Sequence, residues 1–205
     1  MNGTNAVVVV MAKAPVPGFA KTRLIPALGQ ERAGALATWL LDRTMAAALE
    51  AGIGPVELRC TPDTAHPAFG AWAQRSGVTL EVQGEGDLGA RMERAFERWQ
   101  GVASQVLVIG TDAPHLDAGL LRDAADALLE HDAVFVPAYD GGYALVGLRR
   151  PQPSLFDDME WSTPDVMEHT RRRVRSCGLR HRELATIHDI DEPDDLAHLT
   201  GLGWR

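Results

Sequence analysis

The sequence predicts a three-layer α/β/α fold with a mainly parallel, mixed sheet. Strand patterns recur along the chain with helical patterns between most of them, which is typical of a parallel sheet covered by helices on both faces. The first pattern, at residues 6–11, is a continuous apolar run of the kind found in strands buried on both faces. At 205 residues the chain has the length of one α/β domain, so we expect a single domain over 1–205.

The strand patterns are bounded by turn residues and are rich in β-branched side chains. They predict six strands, at residues 7–11, 56–60, 78–82, 105–109, 133–136 and 143–148. A last strand is predicted at about 183–190, followed by a short helix from Glu192. The segment 151–161 has no clear period, and we expect it to form a loop over the functional site.

The helices between these strands have apolar stripes and recognisable ends. Residues 30–50 have an apolar face, and Asp117 is predicted to cap another amphipathic helix. A third begins with Thr163 as its N-cap and Pro164 at its first position, and Gly178 ends it.

Composition and charge exclude several classes of protein. A formal net charge of −8 argues against general nucleic-acid binding, and the basic run at 171–175 is expected to be a solvated helix face. No apolar stretch is long enough to span a bilayer, and the first residues do not resemble a signal peptide, so we expect a cytoplasmic protein without a membrane partner. Cys60 and Cys177 match no metal or redox spacing and are predicted to be free.

Three cations follow the first buried strand. Lys13, Lys21 and Arg23 lie on a loop rich in proline and glycine. In open α/β sheets ligands bind at the carboxyl ends of the strands, where backbone N–H groups and basic side chains bind phosphate. The sequence therefore predicts a phosphate site on this loop.

Two groups of aspartates are candidates for a metal site. Asp112 follows the predicted strand at 105–109, where a carboxylate is well placed to hold Mg²⁺ or Mn²⁺, although it could instead cap the turn before Pro114. Asp189 and Asp191 would point to the same face of a strand, and one of them could be the second ligand. Alternatively, Asp191 is the N-cap of the last helix, with Asp194 completing a capping box.

Two glycine-containing segments have alternative interpretations. Asp140 begins a turn of the hairpin type, but its carboxylate could also meet an acceptor or the metal. Residues 84–89 match the G-x-G-x-x-G pattern of dinucleotide-binding enzymes, which would make the protein an NAD-dependent oxidoreductase. The same glycines could let a nucleobase lie against the backbone, with Gln83 reading its edge.

Six motifs in a fixed order resemble one protein family. They lie at residues 11–24, 83–92, 110–114, 140–148, 161–163 and 189–196. Together they resemble the bacterial radical-SAM/selenodomain-associated, or arsenosugar-biosynthesis, glycosyltransferases of the nucleotide-diphospho-sugar transferase (GT-A) superfamily. A more distant resemblance is to guanylyltransferases of molybdenum-cofactor and phospholactate metabolism.

The resemblance implies roles for individual residues. It implies a GT-A fold, a phosphate-binding loop from Ala12 to Leu24 and a divalent metal, Mg²⁺ or Mn²⁺, held by Asp112 and Asp191, with Asp189 as the alternative to Asp191. It also implies a segment that faces the base. The binding residues expected on this basis are Ala12, Lys13, Gly18, Lys21, Arg23, Gln83, Gly86 and Gly89.

The sequence therefore predicts a metal-dependent transferase that binds a nucleotide polyphosphate and a small acceptor. We expect Asp112, Lys21 and Asp140 to be its catalytic residues. The favoured reaction is glycosyl transfer from an NDP-sugar, and the main alternative is nucleotidyl transfer from an NTP with release of pyrophosphate. Further alternatives are a nucleotide-binding module without turnover and the NAD-dependent oxidoreductase.

Overall fold

A computed structural model describes residues 5–205 and contains one sheet of seven strands. In chain order the strands are β1 Ala6–Lys13, β2 Val56–Thr61, β3 Val78–Val82, β4 Gln105–Ile109, β5 Ala133–Pro137, β6 Tyr143–Leu148 and β7 His181–Glu183. The helices are α1 Ile25–Ala51, α2 Pro67–Ala73, α3 Leu88–Arg98, α4 Ala118–Glu130 and α5 Val166–Ser176. Shorter 3₁₀ segments lie at Thr22–Leu24, Pro153–Leu155 and Pro193–Leu199.

The sheet has the order β3-β2-β1-β4-β6-β5-β7, and β6 runs antiparallel to both of its neighbours. The remaining pairs are parallel, so the predicted mainly parallel, mixed sheet is confirmed. Because of these directions, the carboxyl ends of β1 to β5 and the beginning of β6 meet at one edge. The loops that carry the predicted site residues therefore collect there.

Three apolar clusters hold the layers together. One lies between the sheet and α1 and α4, where it includes Met45 and Leu121. A second fills the opposite face beneath α3 and α5, with Phe96 stacked on Phe156. The third cluster packs α1 against the C-terminal segment through Leu24, Leu36, Leu40, Ile190 and Leu199. Helices thus cover both faces of the sheet, which confirms the three-layer architecture.

The predicted start of the fifth helix is wrong. The helix begins at Val166 after Asp165, while the Thr163 hydroxyl donates a 3.0 Å hydrogen bond to the Glu160 carbonyl. The first turn of the helix instead makes a contact with a distant segment, since the Met167 N–H donates a hydrogen bond to the carbonyl of Gly141. The predicted end is confirmed, since Gly178 follows α5 with a φ of 66°.

The predicted last strand is also wrong in its bounds. Pairing with β5 is limited to His181–Glu183, and the chain then makes one isolated bridge between Ile187 and Ala138. The following 3₁₀ segment begins after Glu192, which forms a capping box with Asp195. Asp191 is therefore not the N-cap, and its carboxylate is available for other contacts.

No helix within residues 5–205 is long and apolar enough to cross a membrane.

Candidate active site

The loop after β1 brings the predicted cations to the carboxyl edge of the sheet. The Ala14 N–H donates a 2.8 Å hydrogen bond to the Thr61 carbonyl at the end of β2. Pro17 packs against Gly34 of α1, where a Cβ would lie 3.0 Å from the proline ring. The loop then passes through Lys21, whose backbone is left-handed with a φ of 49°. Because this conformation is uncommon outside glycine, the surrounding contacts must hold it.

The Lys21 ammonium lies at the centre of a group of oxygens. Its Nζ is 2.5 Å from Asp112 Oδ1 and 3.8 Å from Asp191 Oδ1, and it donates a 2.5 Å hydrogen bond to the Ile190 carbonyl. The lysine side chain is only 6% exposed, whereas those of Asp112 and Asp191 are 54% and 40% exposed. The two carboxylates are therefore open to a ligand on the solvent side.

Arg23 supplies a second cation to the same group. Its Nη1 lies 2.7 Å from Asp191 Oδ2 and 3.3 Å from Glu192 Oε1. Asp191 is thus contacted by cations on both of its oxygens. The structure brings together four of the predicted site residues, namely Lys21, Arg23, Asp112 and Asp191.

Asp112 is held in place through its backbone. The Ile190 N–H donates to the Asp112 carbonyl at 2.8 Å, and Arg43 Nε donates to the Pro114 carbonyl at 2.6 Å. Within residues 5–205 the Asp112 carboxylate accepts no backbone hydrogen bond, so the alternative role as a turn cap has no support. The contact of Arg43 with the Pro114 carbonyl could not be predicted, because an arginine within a helix carries no sequence signal for a distant partner.

Asp189 lies near other carboxylates and is half-buried. Burial raises its pKa to about 6, and the negative charges of Asp140, Asp195 and Asp112 add to the effect. Unlike Asp191, it makes no ion pair with Lys21 or Arg23 in the part of the chain that the structure describes. Asp191 therefore shares the Lys21 ammonium with Asp112, and Asp189 does not.

Asp140 is positioned by a tight turn. Its Oδ1 accepts a 2.8 Å hydrogen bond from the Gly142 N–H, as expected of an aspartate that starts a turn. The next residue, Gly141, has a φ of 93° and packs so closely on Pro164 that a Cβ would lie 2.0 Å from the proline carbonyl oxygen. The turn is therefore fixed against the segment before α5, with the Asp140 carboxylate exposed at the site edge.

Gln83 has a different position from the one expected of a base-reading residue. The side chain is buried, and Nε2 donates 3.0 Å hydrogen bonds to the carbonyls of Ala12 and Arg59, while Oε1 accepts from Arg91 at 3.2 Å. The amide therefore ties the ends of β1 and β2 to the loop after β3. All of its hydrogen-bonding groups are engaged, so base recognition here would have to use backbone groups.

Two arginines of α3 fix the loop after β3, and sequence reasoning did not identify them. Arg91 Nε donates to the Gly86 carbonyl at 3.0 Å. Arg94 donates to the carbonyls of Gln83 and Glu85. Their spacing of three residues on one helix face, directly after the glycine motif, was the available signal.

The glycine pattern at 84–89 does not form a dinucleotide site. The Asp87 carboxylate accepts a 2.9 Å hydrogen bond from the Ala90 N–H at the start of α3. A carboxylate thus occupies the helix N-terminus where a pyrophosphate would bind, which removes the basis for an NAD-dependent oxidoreductase. Gly89 packs under Phe156 and Trp161, which leaves no space for a Cβ at Gly89. The segment 151–161 therefore lies against α3 at this point.

The remaining predicted binding residues lie at the same edge. Lys13 ends β1 and is exposed, and it makes no ion pair within residues 5–205. Gly18 has a φ of 82° and lies beside the Gln30 side chain, while Gly86 has a φ of 93°. These three residues are thus placed near the edge without contacting the central carboxylates.

The oxygens around Lys21 are of the type that Mg²⁺ and Mn²⁺ prefer. Two carboxylates and one backbone carbonyl surround a single cationic atom. No preformed cluster of three His, Cys, Asp or Glu ligands occurs in the described part of the chain. The donor set fits a divalent metal that would take its remaining ligands from water or phosphate.

The fold, with charged residues at the carboxyl edge of its sheet, is that of a known class of proteins. The chain has the α/β fold of nucleotide-diphospho-sugar transferases and nucleotidyltransferases. A structure from Desulfovibrio desulfuricans G20, provisionally assigned as a nucleotide-diphospho-sugar transferase, matches 98% of this chain and 90% of its own, with 26% identity and a TM-score of 0.88.

Two more distant structures share the fold. CMP:2-keto-3-deoxy-manno-octonic acid synthetase complexed with CTP matches with a TM-score of 0.61 at 13% identity, covering 96% of this chain and 97% of that chain. Rv0371c from Mycobacterium tuberculosis H37Rv in complex with manganese has a TM-score of 0.55 at 20% identity, covering 94% and 97%.

The chain belongs to the family described as "Uncharacterized protein conserved in bacteria (DUF2064)", which matches residues 44–163. No curated protein matches the sequence.

Proposed function

We propose that this protein is a metal-dependent transferase that moves the sugar of an NDP-sugar to a small acceptor. The observation that carries the proposal is the convergence of Lys21 and Arg23 with Asp112 and Asp191 at the carboxyl edge. Cations for phosphate and oxygen ligands for a divalent metal are the two halves of a metal–nucleotide site. The similarity over nearly the full chain to the Desulfovibrio protein supports a nucleotide-sugar substrate.

The residues have separate tasks in this mechanism. Asp112 and Asp191 would hold Mg²⁺ or Mn²⁺, and the metal would supply positive charge next to the phosphates. Lys13, Lys21 and Arg23 bind phosphate oxygens and stabilise the charge that develops on the leaving nucleoside diphosphate. The bond from the anomeric carbon to the diphosphate oxygen breaks, and its electron pair leaves with the nucleoside diphosphate. The acceptor oxygen forms the new bond to the anomeric carbon, and its proton passes to water at the exposed edge.

Asp140 is proposed to orient the acceptor hydroxyl. Its Oδ1 is used by the turn, and Oδ2 makes no hydrogen bond within residues 5–205. An exposed carboxylate oxygen on a fixed turn is suited to accept a hydrogen bond from a hydroxyl group. Backbone groups of Ala12, Gly18 and Gly86 are proposed to line the nucleotide, with Gln83 acting as the support beneath them. Gly89, which was also expected to bind, is buried in α3 under Phe156 and Trp161 and is not part of this proposal.

Nucleotidyl transfer is the second candidate. In that reaction the acceptor attacks the α-phosphorus of an NTP, and pyrophosphate leaves. Three cations between the end of β1 and the following 3₁₀ segment, Lys13, Lys21 and Arg23, favour a long polyphosphate. The common fold with a CTP-bound synthetase is compatible with this reaction.

The narrower features of the function stay predictions from sequence. They are the association with radical-SAM/selenodomain or arsenosugar glycosyltransferases, the cytoplasmic location, and the absence of nucleic-acid and membrane partners. A small-molecule acceptor is part of the same proposal.

Thermal unfolding with ligands tests the metal–nucleotide site. A nucleotide present at about 100 times its Kd stabilises the folded state by about 2.7 kcal/mol, which corresponds to a rise in Tm of roughly 5 to 11 °C. We expect this rise with an NDP-sugar or NTP in the presence of Mn²⁺, and we expect Asp112→Asn to keep the fold but lose the metal-dependent part. Asp126→Asn, on the exposed side of α4, is the matched control.

The products distinguish the two reactions. Release of a nucleoside diphosphate from an NDP-sugar favours glycosyl transfer, and release of pyrophosphate from an NTP favours nucleotidyl transfer. Unchanged metal-dependent stabilisation of the Asp112→Asn variant would refute the assigned role of Asp112. Stabilisation by NAD without metal would refute the whole scheme.

A further inference from the structure

Lys21 contacts oxygens that a divalent metal would also use. Its ammonium contacts Asp112 Oδ1 and the Ile190 carbonyl at 2.5 Å, and it lies within ion-pair distance of Asp191. An ammonium group is a compact charge with several donors and no acceptor. The cation at the centre of the site is therefore the protein's own lysine.

The position of Lys21 is built into the fold. The side chain is 6% exposed, and a lysine is buried to that extent only when its charge is paired. Its left-handed backbone, with φ of 49° and ψ of 45°, begins the 3₁₀ segment at Thr22–Leu24, and the side chain of Leu24 is fully buried. This anchor fixes the Cα of Lys21, while the long side chain retains rotatable bonds through which the ammonium can move.

A metal bound to these carboxylates would compete with the ammonium for their negative charge. Both are cations, and placing them a few ångströms apart is strongly unfavourable in a partly buried site. A nucleotide polyphosphate changes the competition between the metal and the ammonium, because it offers new anionic oxygens to the lysine. Arg23, which contacts Asp191 at 2.7 Å from a more exposed position, remains as a charge partner at the rim.

We propose that Lys21 is an internal counter-ion that blocks the metal position until a polyphosphate arrives. The inference rests on the proposed metal–nucleotide site and concerns its regulation. Metal alone binds weakly because it must displace the ammonium from Asp112 and Asp191. When a polyphosphate enters, Lys21 moves to its oxygens and releases the carboxylates to the metal, so metal and nucleotide bind cooperatively.

Mn²⁺ binding without nucleotide tests this exchange. The loss of the free Mn²⁺ signal in electron paramagnetic resonance gives the affinity of wild type, Lys21→Met and Lys13→Met. We expect Lys21→Met to bind Mn²⁺ about tenfold more tightly than wild type, or better, because the competing charge is removed. Lys13→Met removes the same charge from the end of β1 without freeing the carboxylates, and we expect an increase of less than about threefold.

The outcomes separate this inference from the proposed function. Equal Mn²⁺ affinities of wild type and Lys21→Met, with Mn²⁺-dependent nucleotide stabilisation of wild type intact, would overturn the lysine exchange alone. Equal gains in Lys21→Met and Lys13→Met would also overturn it, since general electrostatics would then suffice. Absence of Mn²⁺-dependent nucleotide binding by wild type would overturn both proposals. Circular dichroism checks that the variants fold. If Lys21→Met does not fold, Lys21→Gln takes its place, because its amide keeps a donor for the Ile190 carbonyl.

Discussion

Gly141 is a residue at which the structure allows no side chain. Its φ of 93° lies in the region that favours glycine, and an added Cβ would be 2.0 Å from the Pro164 carbonyl oxygen. Its own carbonyl accepts a 2.8 Å hydrogen bond from Met167 at the start of α5. Two separate effects therefore oppose any substitution, namely backbone strain and a collision with another segment of backbone.

A comparison of two alanine variants separates these effects. Gly178 also has a positive φ, 66°, but a Cβ there meets nothing within 4 Å. We expect Gly178→Ala to lower the free energy of unfolding by about 1 kcal/mol through strain alone. Gly141→Ala should cost about 1–3 kcal/mol more because the turn must also shift. Urea denaturation measures both, and equal losses would contradict the close packing of the turn.

At the residue scale, the sequence predicts the charged residues of the site better than the polar residues that hold the surrounding backbone in place. Lys21, Arg23 and Asp112 were expected at the site because they follow strands whose ends meet at one edge, and Asp191 was expected there from the family resemblance. The structure brings the four side chains together. Gln83 was expected to face a base, yet its amide bonds to carbonyls of neighbouring strands. These carbonyl partners have no signature in the local sequence, because they become neighbours only when the strands pair.

Among the elements, α5 and β7 are linked by one well-formed ion pair. Arg171 Nε and Nη2 donate to the two carboxylate oxygens of Glu183 at 2.8 and 2.7 Å. The hydrogen bonds from Arg171 are the main reason why the pKa of Glu183 lies below its ordinary value of 4.5. The basic run at 171–175, expected to be a solvated face, thus also attaches an edge strand.

This pair predicts a defined pH dependence of stability. Because the folded-state pKa of Glu183 is lowered, its contribution is complete above the unfolded-state pKa and is lost as pH falls through the folded-state value. We expect Glu183→Gln to lower stability by about 1 kcal/mol at neutral pH, since the pair is partly exposed. The difference from wild type should shrink below about pH 4.5. Thermal unfolding at several pH values measures it, and a constant difference down to about pH 3 would contradict the assignment.

Element boundaries were predictable where local sequence controls them. Asp117 caps α4 as expected, with its carboxylate accepting from the Leu120 N–H at 2.9 Å. The predicted cap at Thr163 failed because the contact between Met167 and Gly141 joins segments that are distant in the chain. Likewise, the last strand is short because only three residues pair with β5 before the chain leaves the sheet edge.

For the whole molecule, the third apolar cluster connects the C-terminal segment to the site. Ile190 and Leu199 pack with Leu24, Leu36 and Leu40, which places the chain on either side of Asp191 against α1 and the 3₁₀ segment that follows Lys21. The Ile190 backbone in turn bonds to both Lys21 and Asp112. The position of Asp191 therefore depends on packing that no ligand touches.

This dependence predicts that a core substitution remote from the ligand weakens binding. Leu199→Ala should lower the free energy of unfolding by about 2–5 kcal/mol, as expected for a buried leucine. Because the cavity loosens the segment that carries Asp191, Mn²⁺-dependent nucleotide affinity should also fall by about tenfold, measured by calorimetry at a temperature where the variant is folded. Leu128→Ala, in the cluster beneath α4, is the matched control with a comparable loss of stability.

The control decides what a loss of affinity means. If reduced stability alone weakened the site, Leu128→Ala would bind the nucleotide as poorly as Leu199→Ala. If the third cluster positions Asp191, the Leu128 variant keeps wild-type affinity while the Leu199 variant loses it. Wild-type affinity in both variants would show that the contacts of Lys21 and Arg23 hold Asp191 without help from the core, and would restrict the functional unit to the carboxyl edge of the sheet.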